Sequence, residues 1–295
     1  MTTRKPTVSM IGPGRLGLAL AIALHSVDYQ IISLVGRRPK QLRKAAKLLD
    51  VPVETLVAKE LESYRPAELV IVAVPDDRIT EVADALTKLD SQHRPTILHT
   101  SGALSSSVFS DLAKKGWRTG SLHPLASISE PVGGAELLKK AFWCIEGETH
   151  ATRLARRLVK DLGAQSFSID SKDKPLYHAA AVMTSGNVTA LFDVALQMLG
   201  RCGLSRQKAQ KVLLPLLESN TANLLHSSPS EALTGTFARG DLATMELHLS
   251  ALSKKDLQEA LKLYRILGEH SLKLAENRIS PDIVRAIEKR LKSGA

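Results

Sequence analysis

Residues Gly12-Pro13-Gly14-Arg15-Leu16-Gly17 have the G-x-G-x-x-G spacing that brings backbone against a pyrophosphate. Gly12 permits the tight turn, Gly14 lets the main chain approach the anion, and Gly17 lets the following helix lie close to the sheet. Arg15 and Leu16 complete the turn, and the free N–H groups of the helix they open face the phosphates. The motif directly follows a short apolar run, where a strand must deliver it. The second such run ends Val35-Gly36-Arg37-Arg38, with no acid to hold a ribose 2′-hydroxyl. Two guanidiniums there can grip a 2′-phosphate bidentately, so NADP(H) is the expected cofactor. The alternative is that Arg37 and Arg38 belong to a solvated helix start. Val74-Pro75 and Ser101, at the ends of later strands, are expected on the same ligand-binding edge.

Hydride transfer to a C=O or C=N bond also needs a group that protonates or polarises the heteroatom. Lys174 and His178 stand one helical turn apart, and they share a face if helical geometry reaches Lys174, although Pro175 disfavours it there. His178 heads a polar stripe continued by Ser185 and Thr189 on an otherwise apolar helix. These groups either line a site or satisfy one another in the helical core. His123, in His123-Pro124, has a pKa range suited to a proton donor, and a turn histidine is the competing reading. His99 and Ser101 could bind substrate or the nicotinamide carboxamide, or form a helix-entry turn. Arg239, beside Thr234-Gly235 in a loop rich in Ser, Gly and Thr, suits a substrate carboxylate or phosphate. The histidines and the two cysteines, Cys144 and Cys202, lack metal-ligand spacing, so no metal is expected.

The elements that must position these groups divide the chain. Up to about residue 170, β-branched runs (7–11, 30–35, 69–74, 96–100, 118–122, 142–145 and 166–169) alternate with amphipathic helical patterns, as in a parallel sheet wrapped by helices. Beyond that point only long helical patterns follow, at 175–201, 205–225, 242–252, 254–277 and 281–292. Pro175 and Pro281 suit first turns, Asp241 and Ser280 suit N-caps, and Gly203 suits a helix stop. The expected fold class is α/β, an N-terminal Rossmann doubly wound sheet at 1–170 plus an all-α C-terminal domain at 171–295 for substrate binding and dimerisation.

With 295 residues and 44% hydrophobic composition, two ordinary domains can each bury a core. A net charge of +10 raises the question of nucleic acid, but the Lys and Arg residues are scattered over amphipathic helices and only 4% of residues are aromatic. Solvated faces and an anionic cofactor or substrate are the better reading. The uncharged stretch Leu176–Phe192 includes Thr184, Ser185, Asn187 and Thr189 and is expected to be a buried helix, not a membrane span. With no targeting signal and little use of cysteine, a cytoplasmic location is expected.

Taken together, the glycine loop with Gly36-Arg37-Arg38, Val72-Ala73-Val74-Pro75-Asp76-Asp77, His99-Thr100-Ser101-Gly102, His123-Pro124, Tyr177-His178-Ala179-Ala180, and Leu233-Thr234-Gly235 through Ala238-Arg239-Gly240-Asp241 are recognisable. The chain resembles, over nearly its whole length, Rossmann-like proteins carrying the domain of unknown function 2520, relatives of pyrroline-5-carboxylate reductase and the deazaflavin-dependent NADP oxidoreductases. The resemblance implies a nicotinamide-binding domain, a dimerising helical domain and oxidoreductase activity without naming a substrate. Lys174 and His178 look similar to the Lys-x-x-x-Asn pair of the 3-hydroxyisobutyrate and 6-phosphogluconate dehydrogenases, with His in place of Asn. His123-Pro124 resembles the His-Pro turn of prephenate dehydrogenase relatives. The expectation is an NADP(H)-dependent oxidoreductase for a small, anionic carbonyl, imine or hydroxy acid, acting as a homodimer. Its rival is an NADP(H)-binding sensor or regulatory protein without turnover.

Overall fold

The computed structural model describes residues 4–59, 64–89 and 94–293. The chain divides into two compact units, residues 1–185 and 186–295. The division lies downstream of the residue-170 boundary read from the last strand, because the first helix after the sheet anchors its amino end among the strand ends of the first unit.

The first unit is built on β1 (Val8–Ile11), α1 (Arg15–His25), β2 (Ile31–Gly36), α2 (Pro39–Leu49), β3 (Glu54–Val57), β4 (Leu69–Val72), α3 (Ile79–Thr87), β5 (Thr96–His99), α4 (Ser110–Lys114), β6 (Arg118–Pro124), α5 (Pro131–Leu138), β7 (Phe142–Gly147), α6 (Thr149–Asp161), β8 (Gln165–Phe167) and α7 (Lys174–Thr184). The strands form one sheet in the order β3-β2-β1-β4-β5-β6-β7-β8. Strands β1 to β6 are parallel, whereas β7 runs antiparallel to β6, with His123 opposite Cys144 and Pro124 opposite Trp143. The sheet is therefore mixed and not wholly parallel. β3 and α5 carried no clear periodic signal; β3 has only Leu56 buried, and α5 holds two glycines, Gly133 and Gly134.

Alternation along the strands separates two cores. Val8, Met10, Leu69, Ile71 and Leu98 pack with α1, α5 and α6, while Ile11, Val70, Val72 and Ile97 pack with α3 and α4 residues such as Ile79, Leu86 and Leu112. Both faces are covered, so the sheet is legible as apolar runs without regular alternation of polarity.

The second unit contains α8 (Gly186–Arg201), α9 (Arg206–His226), α10 (Pro229–Ala232), α11 (Leu242–Leu252), α12 (Gln258–Ala275) and α13 (Pro281–Lys292). Asp241 caps α11 by accepting from Thr244 N at 3.0 Å, and Gly203 takes φ +87° after α8. Pro281 opens α13 and Ser280 stands at its N-cap, although the serine side chain makes no capping bond. The helix expected over 175–201 is broken at Ser185, whose φ/ψ of −124°/−83° is not helical. It is also not the buried helix that its composition suggested. The stretch Ser171–Arg201 is long and apolar enough to cross a membrane by length and composition, yet little of it is buried, and Leu176 and Met183 are 76% and 66% exposed. Its apolar residues meet too few neighbours within this single chain.

Candidate active site

The turn after β1 sits where the strand order reverses between β1 and β4, the crevice in which open α/β sheets bind ligands. Gly12 has φ +88°, and a Cβ there would lie 2.7 Å from the Ala73 carbonyl oxygen. A Cβ on Gly17 would lie 2.3 Å from the Gly12 carbonyl oxygen, so both positions demand glycine. Gly14 has nothing within 4 Å of its Cβ position, and as the N-cap of α1 it offers no side chain to the first-turn N–H groups. This fits an anionic pyrophosphate approaching uncapped backbone donors.

A groove of about 270 Å³ runs from this turn and is lined by Gly12, Gly14, Arg37, Arg38, Val74 and Pro75, among others. Arg37 and Arg38 are exposed, and neither has an ion-pair partner among the described residues. They follow the end of β2 with their charge uncommitted. Arg78 also lines the groove, held by Glu81 at 2.6 Å. Sequence reasoning missed Arg78 because it is one basic residue among many, two beyond Asp76; its only signal was closeness to the end of β4.

Further along the same carboxyl edge lies a polar cluster. Lys174 is helical after all (φ/ψ −54°/−42°) and opens α7, with Pro175 in the first turn, where its missing N–H costs nothing. Its side chain is wholly buried, and Nζ donates to Ser101 O at 3.2 Å and to Ser121 Oγ at 2.9 Å. Burial lowers the Lys174 pKa, partly offset by its electrostatic interactions with Cys144, Glu146 and Asp76. The Ser101 hydroxyl is spent locally, donating to Asp76 at 2.7 Å and accepting from Ala103 N and Leu104 N.

His99, expected at the substrate, is instead sealed in the interior at 0% exposure. Its Nδ1 accepts from Ser101 N, its ring meets Phe109 edge-on, and its Nε2 has no partner. As the last residue of a strand covered on both faces, it points into the core and not off the edge.

His123 and His178 do converge. Their rings are 5.5 Å apart at 83°, and a Cβ on Gly102 would lie 2.4 Å from His178 Nδ1 and 2.9 Å from His123 Nε2. His178 Nδ1 is buried without a partner, and His123 Nδ1 is hydrogen-bonded to the Tyr177 hydroxyl at 2.6 Å. The glycine after Ser101 is what admits two imidazole nitrogens above the strand end. Tyr177 was quoted above only as part of a motif; its role depends on β6, which the sequence does not place beside it.

The stripe expected from His178 through Ser185 and Thr189 does not continue as one helical face, because the helix breaks at Ser185. The Ser185 hydroxyl donates back to Ala181 O at 2.7 Å, and Thr189 belongs to α8. Thr234 and Arg239 are exposed in the second unit. Among the described residues, no group of three or more His, Cys, Asp or Glu side chains is arranged to hold a metal ion.

Burial first, and the charge of Lys174 second, push the His99 pKa down to about 3; burial, then His178 and Lys174, push His123 down to about 4. Both are therefore neutral at pH 7. Their folded pKa values lie below the unfolded value near 6.5, so the unfolded chain binds more protons in acid and stability is lost as pH falls from 6.5 toward 4 and then 3. Urea unfolding at pH 7 and pH 4.5 should show a loss that shrinks by roughly 2 kcal/mol in His99→Gln; an unchanged difference would clear His99 of the effect.

Residues 1–124 match the Rossmann-like domain family, and residues 141–271 match the family described as domain of unknown function DUF2520. No curated protein matches it. Among solved structures, it is similar to a protein assigned as an NADP oxidoreductase from Bacteroides fragilis (21% identity, TM-score 0.74, covering 91% of this chain and 98% of that one). It is also similar to a protein from Thermotoga maritima (23%, 0.70, 92% and 99%). The pyrroline carboxylate reductase of Plasmodium falciparum, solved with NADP bound, aligns at 13% identity and TM-score 0.58 over 92% of this chain and 98% of that one. The chain thus shares its fold with these proteins.

Proposed function

We propose that the protein is an NADP(H)-dependent oxidoreductase that reduces, or forms by oxidation, a C=O or C=N bond in a small anionic substrate. The observation that carries this reading is that one sheet edge bears both a phosphate-binding turn with two uncommitted arginines and, further along, two imidazoles converging over Gly102. The NADP bound in the similar Plasmodium falciparum structure, and the description of the Bacteroides fragilis protein as an NADP oxidoreductase, support the cofactor assignment.

Gly12, Gly14 and the first turn of α1 would hold the pyrophosphate, Arg37 and Arg38 the 2′-phosphate, and Val74-Pro75 the wall of the groove. The chemistry that NADPH supplies when bound is hydride donation. His123 and His178 would offer hydrogen-bonding atoms to the substrate heteroatom, while Lys174 ties the turn after β5 to the middle of β6. A homodimer belongs to the same reading: Leu214 and Leu225, about three turns apart on one face of α9, are 36% and 75% exposed, an apolar surface best covered by a second copy. Sedimentation equilibrium should return twice the chain mass.

The deciding test is titration with NADPH and NADH by nicotinamide fluorescence, for wild type and for Arg37→Ala with Arg38→Ala. Each charge-assisted contact is worth roughly 1.5–3 kcal/mol, so the double variant should lose at least about 100-fold in NADPH affinity and little for NADH. Equal loss for both nucleotides would remove the arginines from 2′-phosphate recognition. Steady NADPH oxidation with a member of a carbonyl and imine panel would then establish turnover.

A further inference from the structure

Tyr177 lies in the first turns of α7, with its ring against Phe167 (5.8 Å, 72°) and edge-on to His123 (5.6 Å, 88°). Its hydroxyl reaches His123 Nδ1 at 2.6 Å, so that nitrogen is already engaged within the protein. The other nitrogen, Nε2, is the one standing over Gly102 beside His178 Nδ1. A neutral imidazole carries a single N–H, and the bond made by one nitrogen decides whether the other is a donor or an acceptor. Between a phenol and a neutral imidazole, the phenol is the stronger acid and the imidazole nitrogen the stronger base, so O–H donates and Nδ1 accepts.

We propose that Tyr177 is a positioning residue: by donating to His123 Nδ1 it fixes the His123 hydrogen on Nε2 and presents a neutral N–H over Gly102 to the heteroatom of the C=O or C=N bond. The substrate part of this statement rests on the function proposed above; the tautomer does not. The titratable groups facing His123 agree with it. Cys144, opposite His123 across the β6–β7 pair, is also hydrogen-bonded to the Tyr177 hydroxyl; burial raises both groups so that they keep their protons, and because a neutral thiol is a poorer acceptor than an imidazole nitrogen the phenol hydrogen goes to Nδ1, while Lys174 and His178 disfavour a charge on His123. His99, further inside, is neutral too. A fixed neutral donor serves a developing negative charge without an imidazolium, so its contribution does not decline as pH rises through 6 to 8.

Long-range proton–nitrogen NMR of the free protein labelled with ¹⁵N-histidine, with His123 assigned through His123→Asn, tests the tautomer directly. A protonated Nε2 and an unprotonated, hydrogen-bonded Nδ1 are expected in wild type from pH 6 to 8, and a tautomer mixture in Tyr177→Phe, which keeps the ring and loses the hydroxyl. A protonated Nδ1 in wild type overturns the proposal, and this reading needs neither cofactor nor substrate. With a substrate in hand, Tyr177→Phe should lower kcat about 10-fold with NADPH affinity unchanged; unchanged kcat would overturn the positioning role. Failure of wild type to bind NADPH would sink the proposed function while leaving the tautomer result standing.

Discussion

Lys174→Ala should destabilise the protein by about 3 kcal/mol in urea unfolding, the largest stability effect expected of a single side chain near the site. The ammonium is wholly enclosed and serves Ser101 O and Ser121 Oγ, one in the turn after β5 and the other midway along β6. Truncation leaves both buried acceptors short of a donor, at roughly 1–3 kcal/mol each, and adds a cavity where the four-carbon stem lay. Lys174→Met separates the two contributions, because methionine refills the space and removes the cost of burying a charge. The methionine variant should therefore lie well above the alanine variant in stability, and both should lose activity as the turn after β5 drifts from β6. If both variants kept full stability, the lysine would not be holding that turn to β6, and its ammonium would have to be assigned directly to the chemistry.

Gly102→Ala should have the largest effect on turnover, about 100-fold in kcat/KM, with NADPH binding unchanged. The added Cβ would fall 2.4 Å from His178 Nδ1 and 2.9 Å from His123 Cε1 and Nε2, distances that real Cβ atoms do not adopt. The clashing atoms are ring edges and not backbone, so the fold can yield by swinging the imidazoles aside. An ångström of misplacement in a catalytic arrangement is enough for a loss of this size. The cofactor groove lies on other strands and should be untouched, so fluorescence titration with NADPH supplies the control. Parallel loss of binding and turnover would mean the substitution had disturbed the sheet as a whole.

The glycine turn was legible in the sequence because its geometry is local: Gly12, Gly14 and Gly17 need one another and the strand before them. Arg37 and Arg38 were legible for the same reason, as the two residues following a strand. His123, Lys174 and His178 were identified individually, but their arrangement was not, since it depends on β6 pairing with β5 and on α7 returning to that edge. His99 was misplaced because sequence shows that a strand ends there and does not show which way its last side chain points. Pro175 misdirected the reading of Lys174: the general penalty on the residue before proline is overcome here by buried hydrogen bonds that only the folded chain supplies. The apolar content of 176–192 suggested burial for a similar reason, because composition records that a helix wants a covering without saying that the covering lies in the same chain.

The reversal of β7 has a further consequence, for engineering. Most of the edge is made by trailing strand ends, but at its substrate end a leading end, Phe142–Cys144, comes alongside His123-Pro124. The proposed cofactor groove is lined by the turns after β1, β2 and β4, while the imidazole cluster draws on β5, β6, β7 and α7. Two sets of residues that share no loop can be varied in separate libraries. On the proposed function, nucleotide preference and substrate scope should be selectable separately, with the Ser101–Asp76 hydrogen bond the link to leave intact.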